Sequence, residues 1–118
     1  MKIEIPGLNV EAGLDLYDDD EEIYLTVLRS FAVNTPAVLD RLRNVTAETL
    51  PDYAIAIHGI KGTSVNIGAQ EIQKTAARLE TMAMAGDLAG VKLMNDAFLK
   101  RADALLAGIN DWLKRHGV

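Results

Sequence analysis

The residue in this chain best suited to do chemistry is His58, which sits in Ile55-Ala56-Ile57-His58-Gly59-Ile60-Lys61-Gly62-Thr63-Ser64-Val65-Asn66-Ile67-Gly68-Ala69. An imidazole can act near neutral pH as a nucleophile, a proton carrier or a metal ligand. On a helical wheel of about 100° per residue with His58 at zero, Ile60 and Ile67 fall near ~200° and ~180°. Tyr53, Ala56 and Thr63 lie close to that axis, which defines the expected buried stripe. His58 points away from it and shares its side with Pro51, Ala54, Ile55, Lys61, Gly62 and Val65. Side chains on a helix lean toward its amino terminus, so residues three and four positions later lean over His58. Lys61 brings an ammonium there and Gly62 brings nothing.

A helical glycine costs about 0.8–1 kcal/mol relative to alanine. Gly59 and Gly62 impose that cost twice beside one histidine. A steric reason accounts for it: Gly62 keeps the imidazole open to a bulky reacting group and a facing protein. The geometry taken alone leaves an ordinary surface histidine as an alternative. A metal site is disfavoured, because His116 is far along the chain and no His/Asp/Glu cluster surrounds His58 in sequence. A Ser-His-Asp hydrolase is disfavoured too: Ser64 lies on the far side of the helix and no nucleophile elbow is present.

The elements that must hold this segment read as helices throughout, with no convincing alternating strand. Asn9 caps a short helix over 10–16, and the acids Asp18-Asp19-Asp20-Glu21-Glu22 suit the capped start of the next. They lack the glycine turn and ligand spacing of a calcium loop. The second helix carries Tyr24, Val27, Phe31, Val38 and Leu42 on one stripe. Asn34-Thr35-Pro36 predicts a kink or break within it, and Asn44-Val45-Thr46 ends it. A third helix opens at Thr49-Leu50-Pro51-Asp52, with Thr49 as cap, and runs to about Asn66, where Gly68 closes it in a left-handed conformation. The fourth runs from Ala69 to about Ala85 with Ile72, Ala76, Leu79 and Ala83 inward. Asp87 caps the last helix, which presents Val91, Met94, Phe98, Leu105, Ile109 and Trp112 to the core. The expected fold is all-α: an antiparallel up-and-down four-helix bundle with a short extra N-terminal helix.

The chain has 118 residues, which suits a single domain over 1–118 with its core at about 9–114. Its 12 Lys and Arg against 17 Asp and Glu give a net charge of −5, which argues against nucleic acid as a partner. No cysteine is present to build a disulfide scaffold or thiolate metal site. No run reaches the ~18–20 apolar residues of a membrane span. The amino terminus lacks the apolar block of a signal peptide, so a cytoplasmic location is expected. Neither a P-loop nor a Gly-x-Gly-x-x-Gly turn is present, which excludes a self-sufficient ATP-dependent kinase. The acidic bundle with polar surface suggests a monomer.

His58-Gly59-Ile60-Lys61-Gly62 followed by Asn66-Ile67-Gly68-Ala69 resembles the histidine-containing phosphotransfer (HPt) domains of two-component phosphorelays, whose signature is His-x-x-Lys-Gly. Pro6 to Leu14 looks like the family's opening. Asp20-Glu21-Glu22-Ile23-Tyr24 with Leu28, Phe31 and Pro36 looks like its second helix, and Ala85-Gly86-Asp87-Leu88 like its turn into the final helix. The resemblance covers roughly residues 5 to 113. Two departures stand out: Gly59 replaces the common serine, and Val45-Thr46-Ala47-Glu48-Thr49 replaces the usual Gly-Asp turn.

The resemblance implies that His58 accepts a phosphoryl group and exchanges it with aspartates of response-regulator receiver domains, with a hybrid sensor histidine kinase as a further partner. Lys61 is then the supporting cation, Gly62 the clearance, and Ala54, Ile55, Gly59 and Val65 the docking patch. In this reading the domain is a phosphocarrier and not an enzyme. With no carboxylate cage expected beside His58, it binds no cofactor, and Mg²⁺ belongs to the receiver. Two alternatives accompany this expectation: a helical receiver-binding module that takes no phosphate, and a segment of a larger hybrid or chemotaxis-type histidine kinase.

Overall fold

The computed structural model describes residues 2–118; Met1, the first residue of the expected domain, lies outside them. Five helices follow in order: α1 (Val10–Asp15), α2 (Glu21–Arg41), α3 (Leu50–Val65), α4 (Gln70–Met84) and α5 (Leu88–Arg115). Among the described residues there is no strand. The long helices α2 to α5 form the bundle, with α3 packed most extensively on α4, and α1 sits at one end against α2.

Local chemistry sets most of the boundaries. The side chains of Asn9, Asp20 and Asp87 each accept a hydrogen bond from the backbone N–H three residues on, which satisfies an otherwise orphaned helix donor. Thr49 is an exception. Its backbone is already helical and its side chain makes no cap bond. Instead its hydroxyl accepts from the Thr46 N–H at 2.8 Å, which folds 46–49 into a tight turn before α3. The expected kink or break at Pro36 gives way to an uninterrupted α2. Pro36 is exposed and removes one N–H from the ladder, a cost of about 3 kcal/mol that burial of Tyr24, Leu28, Phe31 and Leu39 on the same helix outweighs.

The turn between α3 and α4 is held from three directions. Gly68 adopts φ +78°, and a Cβ there would come within 2.2 Å of the Asn9 carbonyl oxygen. The Asn9 N–H in turn donates to the Gly68 carbonyl at 2.8 Å. Two tyrosine hydroxyls complete the anchorage at 2.8 Å each: Tyr17 donates to the Asn66 carbonyl and buried Tyr24 to that of Ile67. Burial pushes the Tyr24 phenol up to about 12, with Tyr17 nearby adding to it.

In the bundle interior, Tyr53 Oη donates to Asn95 Oδ1 and Asn95 Nδ2 to the Leu42 carbonyl, both at 2.8 Å. This buried chain ties α3, α5 and the end of α2 in one register. The core reaches beyond its expected start, because Ile3 and Ile5 are buried as well and Ile5 lies against Gly108 of α5. Met94 is only half-buried.

Candidate functional site

Helix α3 carries only two charged residues, Asp52 and Lys61. A helix apolar nearly all round belongs in a core, yet α3 leaves one face in solvent. On that face His58 is 67% exposed, Ile55 65% and Val65 41%. Gly59 and Gly62 are exposed there too, and Ala54 is half-buried. The expected docking residues therefore share one apolar surface around the imidazole. A Cβ added at Gly59 or Gly62 would meet nothing within 4 Å. No internal contact requires glycine at either position.

Two sequence-based placements change. Thr63, expected on the buried stripe, is exposed, because α2 does not close over that side of α3. Lys61, expected to lean over the ring, is instead drawn to a carboxylate beside His58, Glu80 of α4. Its Oε2 lies 2.5 Å from His58 Nδ1 and its Oε1 2.5 Å from Lys61 Nζ. Lys61 is thus bound to Glu80 and is not a free cation leaning over the ring. The Glu80 side chain is only 13% exposed, enclosed by the two groups it joins.

The Lys61 ammonium holds the Glu80 carboxyl below the usual carboxylate range, and the His58 contact adds to this against the opposing effect of burial. An ionised carboxylate has no proton to give, so His58 Nδ1 is the donor in this pair. The proton is fixed on Nδ1 and the lone pair is left on Nε2 of an exposed ring. Ser64 faces the core, fully buried and with no hydrogen-bond partner for its Oγ, far from serving as a nucleophile in this arrangement. Among the described residues, no three or more His, Asp or Glu groups converge as metal ligands, and no helix is long and apolar enough to cross a membrane.

Beside His58, on the side away from Glu80, a groove of about 200 Å³ runs between α2 and α3. Its apolar wall comes from Val27, Phe31, Val38 and Ile60, with Gly59 and Thr63 at its α3 edge.

The described residues thus form a four-helix bundle with an exposed histidine, paired with a carboxylate, on one helix face. The chain matches the Hpt domain family model over residues 26–112, and it belongs to that family. Histidine phosphotransfer in phosphorelays, through interaction with response-regulator receivers, is the business of Hpt domains. The comparisons with curated proteins and with solved structures found no match.

Proposed function

We propose that His58 is the phosphoacceptor and that it passes a phosphoryl group reversibly between receiver aspartates. The observation that carries this reading is the orientation of the ring: Nδ1 is engaged by Glu80, which leaves Nε2 as the nucleophile on a side chain two-thirds exposed.

Transfer to His58 begins with the Nε2 lone pair in line with the phosphorus of an aspartyl phosphate. The N–P bond forms, the P–O bond to the aspartate breaks, and the aspartate leaves as a carboxylate. Nδ1 keeps its proton throughout, so the ring gains positive charge, and the Glu80 carboxylate stabilises that charge where it develops. Lys61 holds Glu80 in place and keeps a cation at the edge of the site, where it offsets charge on the incoming phosphoryl group. Gly62 leaves the approach open one turn downstream of His58.

Both Glu80 oxygens already accept from Lys61 and His58, so this donor set does not suit a divalent cation. Mg²⁺ in the transfer complex is assigned to the receiver. In this reading the chain is a carrier with no kinase chemistry of its own. In the test, His58→Gln abolishes labelling by a phosphorylated receiver while helical circular dichroism is unchanged. Retained labelling overturns the assignment. Lys61→Ala slows transfer without abolishing it, and an unchanged rate removes its electrostatic role.

A further inference from the structure

We propose that the N-terminal segment 2–17 clamps the α3–α4 turn and so keeps His58 in register with Glu80, with Asn9 and Tyr17 as positioning residues for the ring. The inference rests on the reading of His58 as phosphoacceptor and adds a remote hold on the orientation of its imidazole.

Three observations carry it. The first is the density of contacts on the turn. Three consecutive carbonyls, those of Asn66, Ile67 and Gly68, each accept a hydrogen bond at 2.8 Å from outside the α3–α4 hairpin. The donors are Tyr17 Oη, Tyr24 Oη and the Asn9 N–H. Gly13 of α1 seats the segment closely, since a Cβ there would lie 2.5 Å from Tyr24 Cε1 and 3.0 Å from the Ile67 carbonyl oxygen. The start of α4 has no comparable hold of its own: Ala69 stands at its N-cap and offers no side-chain bond.

The second is the weakness of α3 between the clamp and His58. Gly59 and Gly62 each weaken the helix relative to alanine, and no neighbour occupies the space beside them within 4 Å. Thr63 Oγ1 donates back to the Gly59 carbonyl at 3.1 Å, a bond of the kind that bends helices. Ser64 Oγ is buried without a partner. A helix so built does not hold its own line, and its ends must be fixed from outside. Asn66, where the clamp grips, lies eight residues beyond His58, about 12 Å along the axis.

The third is the narrow tolerance of the pair itself. His58 and Glu80 stand on opposite arms of the hairpin, with Glu80 Oε2 2.5 Å from Nδ1. The ring is 67% exposed, so packing does little to orient it. A slip of about 1 Å between α3 and α4 parts the two groups, and a misplacement on that scale can cost up to ~100-fold in rate.

The test reads the ring and the reaction separately on the full chain. Tyr17→Phe deletes one donor, and Gly13→Ala wedges α1 away from the Ile67 carbonyl; neither alters a residue of α3 or α4. Val45→Ala trims a buried side chain in the loop after α2 and controls for general loss of stability. Each variant is studied at a temperature where circular dichroism shows it folded. The ¹⁵N shifts of the His58 ring at about pH 8, above the ordinary imidazole pKa, report how much of it carries its proton on Nδ1. Phosphoramidate, a small donor that needs no docking surface, reports the reactivity of Nε2. The bond from phosphorus to Nε2 forms, the bond to the donor nitrogen breaks, and ammonia leaves.

The wild-type ring holds its proton on Nδ1. In Tyr17→Phe and Gly13→Ala it drifts to a mixture of tautomers, and labelling slows by at least ~2-fold as the competent fraction falls. Val45→Ala matches the wild type in both readouts. A wild-type ring and rate in either folded clamp variant overturns the proposal. Tyr17→Phe, which loses one hydroxyl from a half-buried side chain, decides the matter alone should Gly13→Ala fail to fold. An equal change in Val45→Ala also overturns it, because the effect is then one of stability. A wild-type protein that stays unlabelled at His58, with the ring shifting as expected in the clamp variants, overturns the phosphoacceptor reading and leaves the clamp standing.

Discussion

Replacing Glu80 by glutamine keeps the shape of the side chain and removes its charge, so it isolates what the carboxylate contributes to His58. In the folded protein the carboxylate joins His58 Nδ1 and Lys61 Nζ at 2.5 Å each. A hydrogen bond to a charged group contributes about 1.5–3 kcal/mol, against roughly 1 kcal/mol for a neutral one. The glutamine oxygen still accepts from Nδ1–H, so the loss is the difference. That difference spans about 0.5–2 kcal/mol, and a value of ~1.4 kcal/mol within it is tenfold in rate. Glu80→Gln therefore slows phosphotransfer from a receiver about tenfold in a rapid-quench assay. Made in a Lys61→Ala background, the same substitution still slows transfer, because its effect runs through the ring and not through the lysine. Stability supplies a second readout. A carboxyl held below the usual range binds its proton less readily in the folded than in the unfolded chain. Its contribution is complete above the ordinary glutamate pKa of about 4.3 and fades as pH falls below that, through the lowered folded value. Glu80→Gln thus costs about 1 kcal/mol in urea unfolding at pH 7, and the gap closes as pH falls below about 4.3. Transfer within twofold of wild type, in both backgrounds, refutes the argument that Glu80 supports the charge on the ring.

Gly62→Ala raises helix stability by about 0.8–1 kcal/mol, since its methyl group meets nothing in the free chain. Thermal unfolding then shifts up by roughly 3–5 °C while transfer from a receiver slows. A faster or unchanged transfer rate removes the clearance role. At alkaline pH the buried phenols dominate. Tyr24 is raised to about 12 and burial pushes Tyr53 up as well, so the unfolded chain ionises first. Their contribution is whole below pH ~10 and is lost as pH climbs through the folded values. Tyr24→Phe flattens that decline in a denaturant titration between pH ~9 and ~12; an identical slope shows that the phenol does not ionise on unfolding in this window.

What the sequence made legible was local. Asn9, Asp87 and Gly68 announced their caps and turn because each acts on backbone within three residues of itself. His58 and its apolar surroundings were visible through helical periodicity alone. The features that sequence left hidden depend on neighbours distant in the chain. Pro36 does not break α2 because the rest of that helix is buried on both sides of it. Thr63 is exposed because α2 stands off from it, and a wheel for one helix carries no information about its neighbour. Glu80 is the instructive case. His58 and Glu80 both lie eleven residues from Ala69 at the α3–α4 turn. In an antiparallel hairpin that mirror relation puts them level, and Glu80 shares α4 with inward Ala76 and Leu79, at the edge of its buried stripe. Reflecting α4 about Ala69 would have pointed to the carboxylate.

The central claim is that phosphate resides on Nε2 of His58, and its most direct test is the site and chemistry of the label. The protein is labelled at its histidine nitrogen with ¹⁵N, phosphorylated by a receiver, and examined by ³¹P–¹⁵N correlation together with peptide mapping. The account predicts one acid-labile phosphate on the His58 peptide, bonded to Nε2 with Nδ1 still protonated, and none on His58→Gln. A phosphate on Nδ1, on His116 or on any hydroxyl contradicts it.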